Sequence, residues 1–273
     1  MSAKAEHTCR VLASPWPGVY ATVIESARHY GKHWHATYGL GLMDDGAHRS
    51  SSGRGAVDAY AGDIVTTNPG EVHDGRPLGA PTRKWRTVYL EPEIVASVAA
   101  EAGVHGDVAF TDAAFRDPIV RDALVRLLDA MENADAAGQE EALVEACGLM
   151  IERHSTGGTI EQADVPMAKV IDRMQAEALP QPTLGELAGL AGIGRFQLLR
   201  RFRTVFGITP HAWLLQHRAE LARRRIAAGA AIAQAAAETG FADQSHLTRV
   251  FVQRFGFTPG AWRAAQFRSR RAA

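Results

Sequence analysis

One pattern occurs twice in this chain, and it constrains the fold more than any other feature. Residues 200–213 read RRFRTVFGITPHAW and residues 249–262 read RVFVQRFGFTPGAW, at a constant offset of 49. Eight of the fourteen positions match: Arg200/Arg249, Phe202/Phe251, Phe206/Phe255, Gly207/Gly256, Thr209/Thr258, Pro210/Pro259, Ala212/Ala261 and Trp213/Trp262. A duplicated segment shows the unit from which a fold is built.

Each copy reads as the second half of a helix-turn-helix. Thr183 followed three residues later by Glu186 is a capping box, which satisfies free amides at a helix start. Leu184, Leu187, Ala188 and Ala191 then fall at helical spacing, and Gly192 stops the run. The next helix is expected over 195–206, with Phe196, Leu199, Phe202, Val205 and Phe206 in its apolar stripe. Gly207 ends it, and Thr209-Pro210 opens another as N-cap and first helical residue. The second copy follows the same grammar. A short helix over 232–239 precedes Gly240-Phe241. Asp243 caps a helix to Phe255, Gly256 ends it, and Thr258-Pro259 restarts the chain. A helix over 211–228 would join the copies. At 1.5 Å per residue it is about 27 Å long, against about 34 Å between successive major-groove faces of B-DNA. One rod could therefore present two helices to adjacent grooves.

Charge supports a polyanionic partner. The net charge of the 273 residues is zero, but it is divided. Residues 167–273 carry 16 basic and 6 acidic side chains (+10), and residues 1–166 carry 14 and 24 (−10). A basic half of this kind is the electrostatic footprint of nucleic-acid binding.

The repeat, with Gly240, Phe241, Asp243, Ser245, Arg249, Phe251, Gly256, Thr258, Pro259, Trp262 and Arg263, resembles the AraC/XylS family of bacterial transcription regulators. The motifs span about a third of the chain. The resemblance implies a sequence-specific regulator of double-stranded DNA, homodimeric, with RNA polymerase as a further partner if it activates. It implies no enzyme activity. It places base contacts on the two recognition helices. On the first the candidates are Arg195, Phe196, Gln197, Leu199 and Arg200; on the second, Gln244, Ser245, His246, Thr248 and Arg249. Apolar side chains suit a thymine methyl, Gln suits adenine, and Arg suits guanine or phosphate. Arg200 and Arg249 have a plainer alternative, ion pairs with Glu186 and Glu238. Arg201, Arg203, Arg223, Arg224 and Arg225 read as phosphate-facing or solvated.

The N-terminal third reads as short strands at 19–25, 38–43, 56–60, 63–67 and 85–90, separated by Gly, Pro and Asp turns. That pattern suggests an antiparallel sandwich or barrel. His33 and His35, two apart on a strand, share a face. His73 follows Gly62-Asp63 and Pro69-Gly70. These segments resemble the two half-motifs of the cupin fold, the usual sensor domain of the same regulators. The glutamate of metal-binding cupins is replaced by Gly39 and Leu40. Glu71 is a candidate substitute. Three neutral imidazoles could hold a divalent metal such as zinc, nickel or iron. They could also line an organic-effector pocket with Tyr38, Trp34, Trp85 and Tyr89, with Arg76 or Arg86 for an anion, or be structural.

The fold class expected is two-domain α+β: a cupin-like barrel (1–92), a helical packing and dimerisation segment (93–154), a polar linker (155–166) and a double helix-turn-helix (167–268). Helices are expected over 93–102, 118–134, 139–154 and 165–177. No signal-like apolar segment opens the chain, no apolar run is long enough to span a membrane, and the two cysteines, Cys9 and Cys147, suggest no disulfide framework. A cytoplasmic protein without membrane contact is expected. Two alternatives stay open: a metal-dependent cupin isomerase or dioxygenase fused to a DNA-binding domain, and a regulator that needs no ligand.

Overall fold

A computed structural model describes residues 7–101, 104, 106–133, 136–157, 165–176 and 182–272. They fall into two compact units, one of Met1–Ile160 with Ala264–Ala273 and one of Glu161–Arg263. No helix among the described residues is long and apolar enough to cross a membrane.

The first unit begins with nine strands: β1 (His7–Ala13), β2 (Val19–Ser26), β3 (Tyr30–His33), β4 (Tyr38–Asp45), β5 (Ala47–Ser52), β6 (Gly55–Tyr60), β7 (Ile64–Thr67), β8 (His73–Pro77) and β9 (Arg83–Leu90). Then come α1 (Pro92–Glu101), β10 (Val108–Phe110), β11 (Ala114–Phe115), α2 (Pro118–Glu132), α3 (Ala136–His154) and β12 (Ser155–Gly157). One sheet runs β1-β2-β9-β4-β7-β11 and a second β3-β8-β5-β6; every pairing is antiparallel.

Alternation along the strands divides the larger sheet into two faces. Leu12, Val19, Ala21, Tyr38, Leu40, Leu42, Ile64, Val88 and Leu90 point to one side and pack with the buried faces of α1, α2 and α3. On α2 that face is Val120, Ala123, Leu124, Leu127, Leu128 and Met131, at helical spacing. Each fully buried Leu, Ile or Val there contributes about 1.5–3 kcal/mol. The other side carries Thr22, Ile24, Trp85, Thr87 and Tyr89 toward the smaller sheet. The barrel interior lies between them.

The linker expected over 155–166 is partly a strand. Ser155–Gly157 pairs with Val108–Phe110, because Thr111 N–H and the β10 amides reach the chain as it leaves α3. Positions 158–164 of that segment lie outside the described residues.

The second unit contains α4 (Val165–Gln175), α5 (Leu184–Ala191), α6 (Arg195–Phe206), α7 (Pro210–Ala227), α8 (Ile232–Glu238), α9 (Gln244–Phe255) and the start of α10 (Pro259–Ala272). The repeat is visible atom by atom. Thr209 Oγ1 accepts from Ala212 N at 3.1 Å, and Thr258 Oγ1 accepts from Ala261 N at 3.0 Å. Phe202 and Phe206 meet at 4.5 Å between ring centroids with tilted rings, and Phe251 and Phe255 meet edge-on at the same distance. Trp213 and Trp262 are both buried. The first copy has the capping box of Thr183 and Glu186, whereas α8 follows Ala231 with no side-chain cap. Gly192 and Gly256 end their helices at φ 66° and 82°, where a Cβ would be strained.

Candidate functional site

His33 ends β3 and pairs across the small sheet with His73, the first residue of β8; His35 follows two residues on. Their rings converge in the barrel interior. Centroids lie 5.0 Å apart for His33–His35, 4.4 Å for His33–His73 and 5.3 Å for His35–His73. One nitrogen from each lies within 4.8 Å of the other two. His35 also meets Tyr89 of the larger sheet edge-on at 5.5 Å.

Two of these rings are oriented by backbone carbonyls. His33 Nδ1 lies 2.7 Å from Gly31 O, and His73 Nδ1 lies 2.9 Å from Glu71 O. A carbonyl only accepts, so Nδ1 carries the proton and Nε2 keeps its lone pair. This is how proteins orient a metal-ligating histidine. Burial, then the neighbouring His35, pushes the His73 pKa down to about 4, so it is neutral near pH 7. Nitrogens on one zinc are about 3.4 Å apart at a bond length of about 2.1 Å. The observed spread of up to 4.8 Å is wider, so holding a metal would require the rings to turn inward; three imidazoles would leave an open coordination position.

Glu71 is not the missing fourth ligand. Arg54 holds both its oxygens, at 2.8 and 2.7 Å, and Asn68 N donates to it at 3.0 Å. Burial alone would raise the Glu71 pKa; these bonds outweigh it and lower it.

Tyr38, expected beside the histidines, is on the other face of the sheet. An even position on β4 points toward the helices, while its neighbour Gly39 points inward. Its hydroxyl donates to Val108 O at 2.6 Å and its ring packs on Phe110. Arg86 faces that same side, where it binds Asp44 and Asp129. Arg76 is exposed. Trp34 is buried, and Trp85 and Tyr89 face the interior. Sequence reading missed Arg83, Tyr30 and His48. The signal for Arg83 was its parity: it lies two residues before Trp85 on one strand and so shares its face.

In the second unit, α9 presents Gln244, Ser245 and Arg249 to solvent. His246 and Thr248 are half-buried: His246 packs edge-on against Phe241, and the Thr248 hydroxyl donates to Gln244 O at 2.8 Å. The opposite side, Leu247, Val250, Phe251 and Phe255, is core. The backbone of α6 is helical throughout, while the side chains of Arg195, Phe196, Gln197, Leu199 and Arg200 lie outside the described residues. Glu238 is engaged by Arg225 at 3.1 Å and Glu186 by Thr183 N at 2.6 Å. Arg249 makes no ion pair with a described residue. Arg223, expected at a phosphate or in solvent, is buried. It pairs with Glu220 at 2.9 Å and lies over the Trp262 ring, whose Nε1–H donates to Arg223 O. It sits on the inner face of α7, where only a paired charge is tolerated.

Comparison with known proteins agrees with both halves. The AraC-like ligand binding domain family matches residues 18–147, and a helix-turn-helix domain family matches residues 187–265. Together they span about three quarters of the chain. The uncharacterized HTH-type transcriptional regulator YbfI of Bacillus subtilis is 25% identical over 225 residues, 80% of this chain and 81% of YbfI. The virulence regulon transcriptional activator VirF of Yersinia enterocolitica is 36% identical over 77 residues, 28% of each chain. The crystal structure of ToxT from Vibrio cholerae shares the fold, with a TM-score of 0.55 at 11% identity over 95% of this chain and 97% of ToxT. The chain belongs to the AraC family of DNA-binding transcription regulators, with an N-terminal ligand-binding domain and a C-terminal helix-turn-helix domain.

Proposed function

We propose that the protein is a one-component regulator whose N-terminal barrel interior is the effector site, and that His33, His35 and His73 form its centre by holding a divalent transition metal. The supporting observation is the convergence of three imidazole nitrogens within 4.8 Å, two with Nδ1 tied to carbonyls. A bound metal would supply an open coordination position for an oxygen or nitrogen of the effector. A ligand shifts the DNA-binding equilibrium only by its difference in affinity for the two states.

The other parts of the reading follow. Gln244 and Arg249 of α9, with the aligned positions of α6, contact DNA. The protein is cytoplasmic, forms a homodimer through the outer face of α2 and α3, and engages RNA polymerase if it activates. Ile119 and Val144, exposed on those helices, support that interface. The barrel is read as a sensor rather than an enzyme, on its likeness to the ligand-binding domain of transcription regulators.

The test is metal content of the full-length protein as purified, with thermal shifts on adding zinc, nickel, iron(II) or a chelator. About one metal per chain, lost in His33→Ala and His73→Ala, is expected, with chelation altering affinity for a DNA duplex selected from random sequence. Absence of both retained metal and any metal-dependent shift would overturn the metal centre.

A further inference from the structure

The barrel interior holds a second polar group that the histidines do not use. Arg83 is 1% exposed. Its Nε donates to His48 Nδ1 at 2.8 Å, and one terminal nitrogen donates to Ser26 O and Arg28 O at 3.3 and 3.1 Å. The other terminal nitrogen is buried and donates to no described residue. The guanidinium carbon lies 4.7 Å from the Trp85 ring centroid and 5.9 Å from that of Tyr30.

Arg83 forms no ion pair with a described residue. The Tyr30 phenol is pushed up to about 12, chiefly by burial, and stays protonated near pH 7. The Cys9 thiol that Tyr30 senses is pushed up to about 12 for the same reason. His48 offers Arg83 a ring nitrogen and no negative charge, since its Nδ1 accepts from Arg83 Nε. Three other sheltered arginines each have a carboxylate: Arg54 has Glu71, Arg86 has Asp44, and Arg223 has Glu220. An unpaired buried cation is among the costliest groups a fold can keep. It faces the same interior as the histidines: Tyr30 lies 6.2 Å from His33 and 6.1 Å from Trp85, and the His48 ring abuts Gly75 on the strand that carries His73.

We infer that Arg83 is the anion anchor of the sensor barrel, and that the effector is an organic carboxylate. Its acid group takes the open edge of the Arg83 guanidinium, its carbon skeleton lies on Trp85 and Tyr30, and its far end points to the histidine centre. One cation balances one carboxylate, whereas a phosphate dianion would leave a buried negative charge. The inference rests on the barrel being the effector site, but not on the metal.

The test uses the full-length protein and four probes: benzoate and hexanoate against their neutral counterparts, benzamide and hexanamide. At least one acid should raise Tm by several degrees while its amide does not. Arg83→Met should abolish that preference, retain the wild-type metal content, and hold or raise Tm without ligand, because an uncompensated charge has been removed. Should Arg83→Met not fold, Arg83→Lys, which keeps the charge but loses the planar fork, should show a weakened acid response. The inference is overturned if neither acid shifts Tm, if amides act as well as acids, or if an Arg83 variant responds like wild type. DNA affinity separates the two readings. An Arg83-dependent acid shift that leaves affinity for a selected duplex unchanged keeps the anchor and removes the regulatory role of the barrel. A neutral compound that changes DNA affinity equally in wild type and Arg83→Met does the reverse.

Discussion

The Asp117 carboxylate accepts four hydrogen bonds. Ile119 N and Val120 N donate at the start of α2, Arg153 Nε at 2.7 Å and His154 Nε2 at 3.0 Å at the end of α3. One side chain thus caps one helix and ties the end of the next. The bond from His154 does most to hold its pKa well below the usual carboxylate range; burial opposes it, and Arg153 and the two amides add to it. A carboxyl lowered in the folded state contributes stability above its unfolded pKa of about 4 and loses it as pH falls through the lowered value. Asp117→Asn keeps the cap but not the charge. Its Tm should be lower than wild type at pH 7, and the gap should narrow below about pH 4; an unchanged gap across a pH series would reject the assignment. At this scale sequence reading was uneven. His33 and His35 were singled out by their spacing and His73 by resemblance to a cupin half-motif, although His35 lies past the end of β3 and not on it. Tyr38 was placed wrongly because an aromatic near a motif carries no sign of which face it takes. Arg83 was overlooked because burial of an arginine depends on what the opposite sheet brings to it.

At the scale of elements, the helices were more legible than the strands. The expected 195–206 helix is α6 end to end, and the connecting rod is displaced by one residue, to Pro210–Ala227. Caps, glycines and a second copy all marked those boundaries. In contrast β5, AHRSSS, and β3, YGKH, show no apolar alternation. They are strands because neighbours pair with them, which no local pattern announces. The rod α7 also shows why composition misleads. Its arginines look like a basic stripe, yet Glu220 and Arg223 are 3% exposed and form a buried pair beneath Trp262. Glu220→Gln would leave Arg223 buried without its partner, at a cost of about 3 kcal/mol. Urea unfolding should show this loss, and a midpoint within error of wild type would mean the pair is dispensable.

At the scale of the whole molecule, the division of charge sets how DNA binding responds to salt. Each phosphate neutralised on B-DNA steepens the log–log dependence by about 0.9. Arg203, exposed in the last turn of α6, should act in this way. Arg203→Ala is expected to weaken all duplexes alike and reduce the slope by about 0.9. Gln244→Ala should instead cost about 1–3 kcal/mol at a single base pair and leave the slope unchanged. Binding measured across salt and a mutated operator series distinguishes the two, and identical behaviour would undo the distinction between reading and holding. The repeat has one more effect at this scale. Its copies follow one another along the chain, and their recognition helices carry different residues: Phe196, Leu199 and Arg200 on one, Gln244, Ser245 and Arg249 on the other. A single chain therefore has a front and a back on the duplex. A chain that binds through both helices should therefore read an arrow rather than a palindrome, and reversing that site should change the response of the promoter beside it.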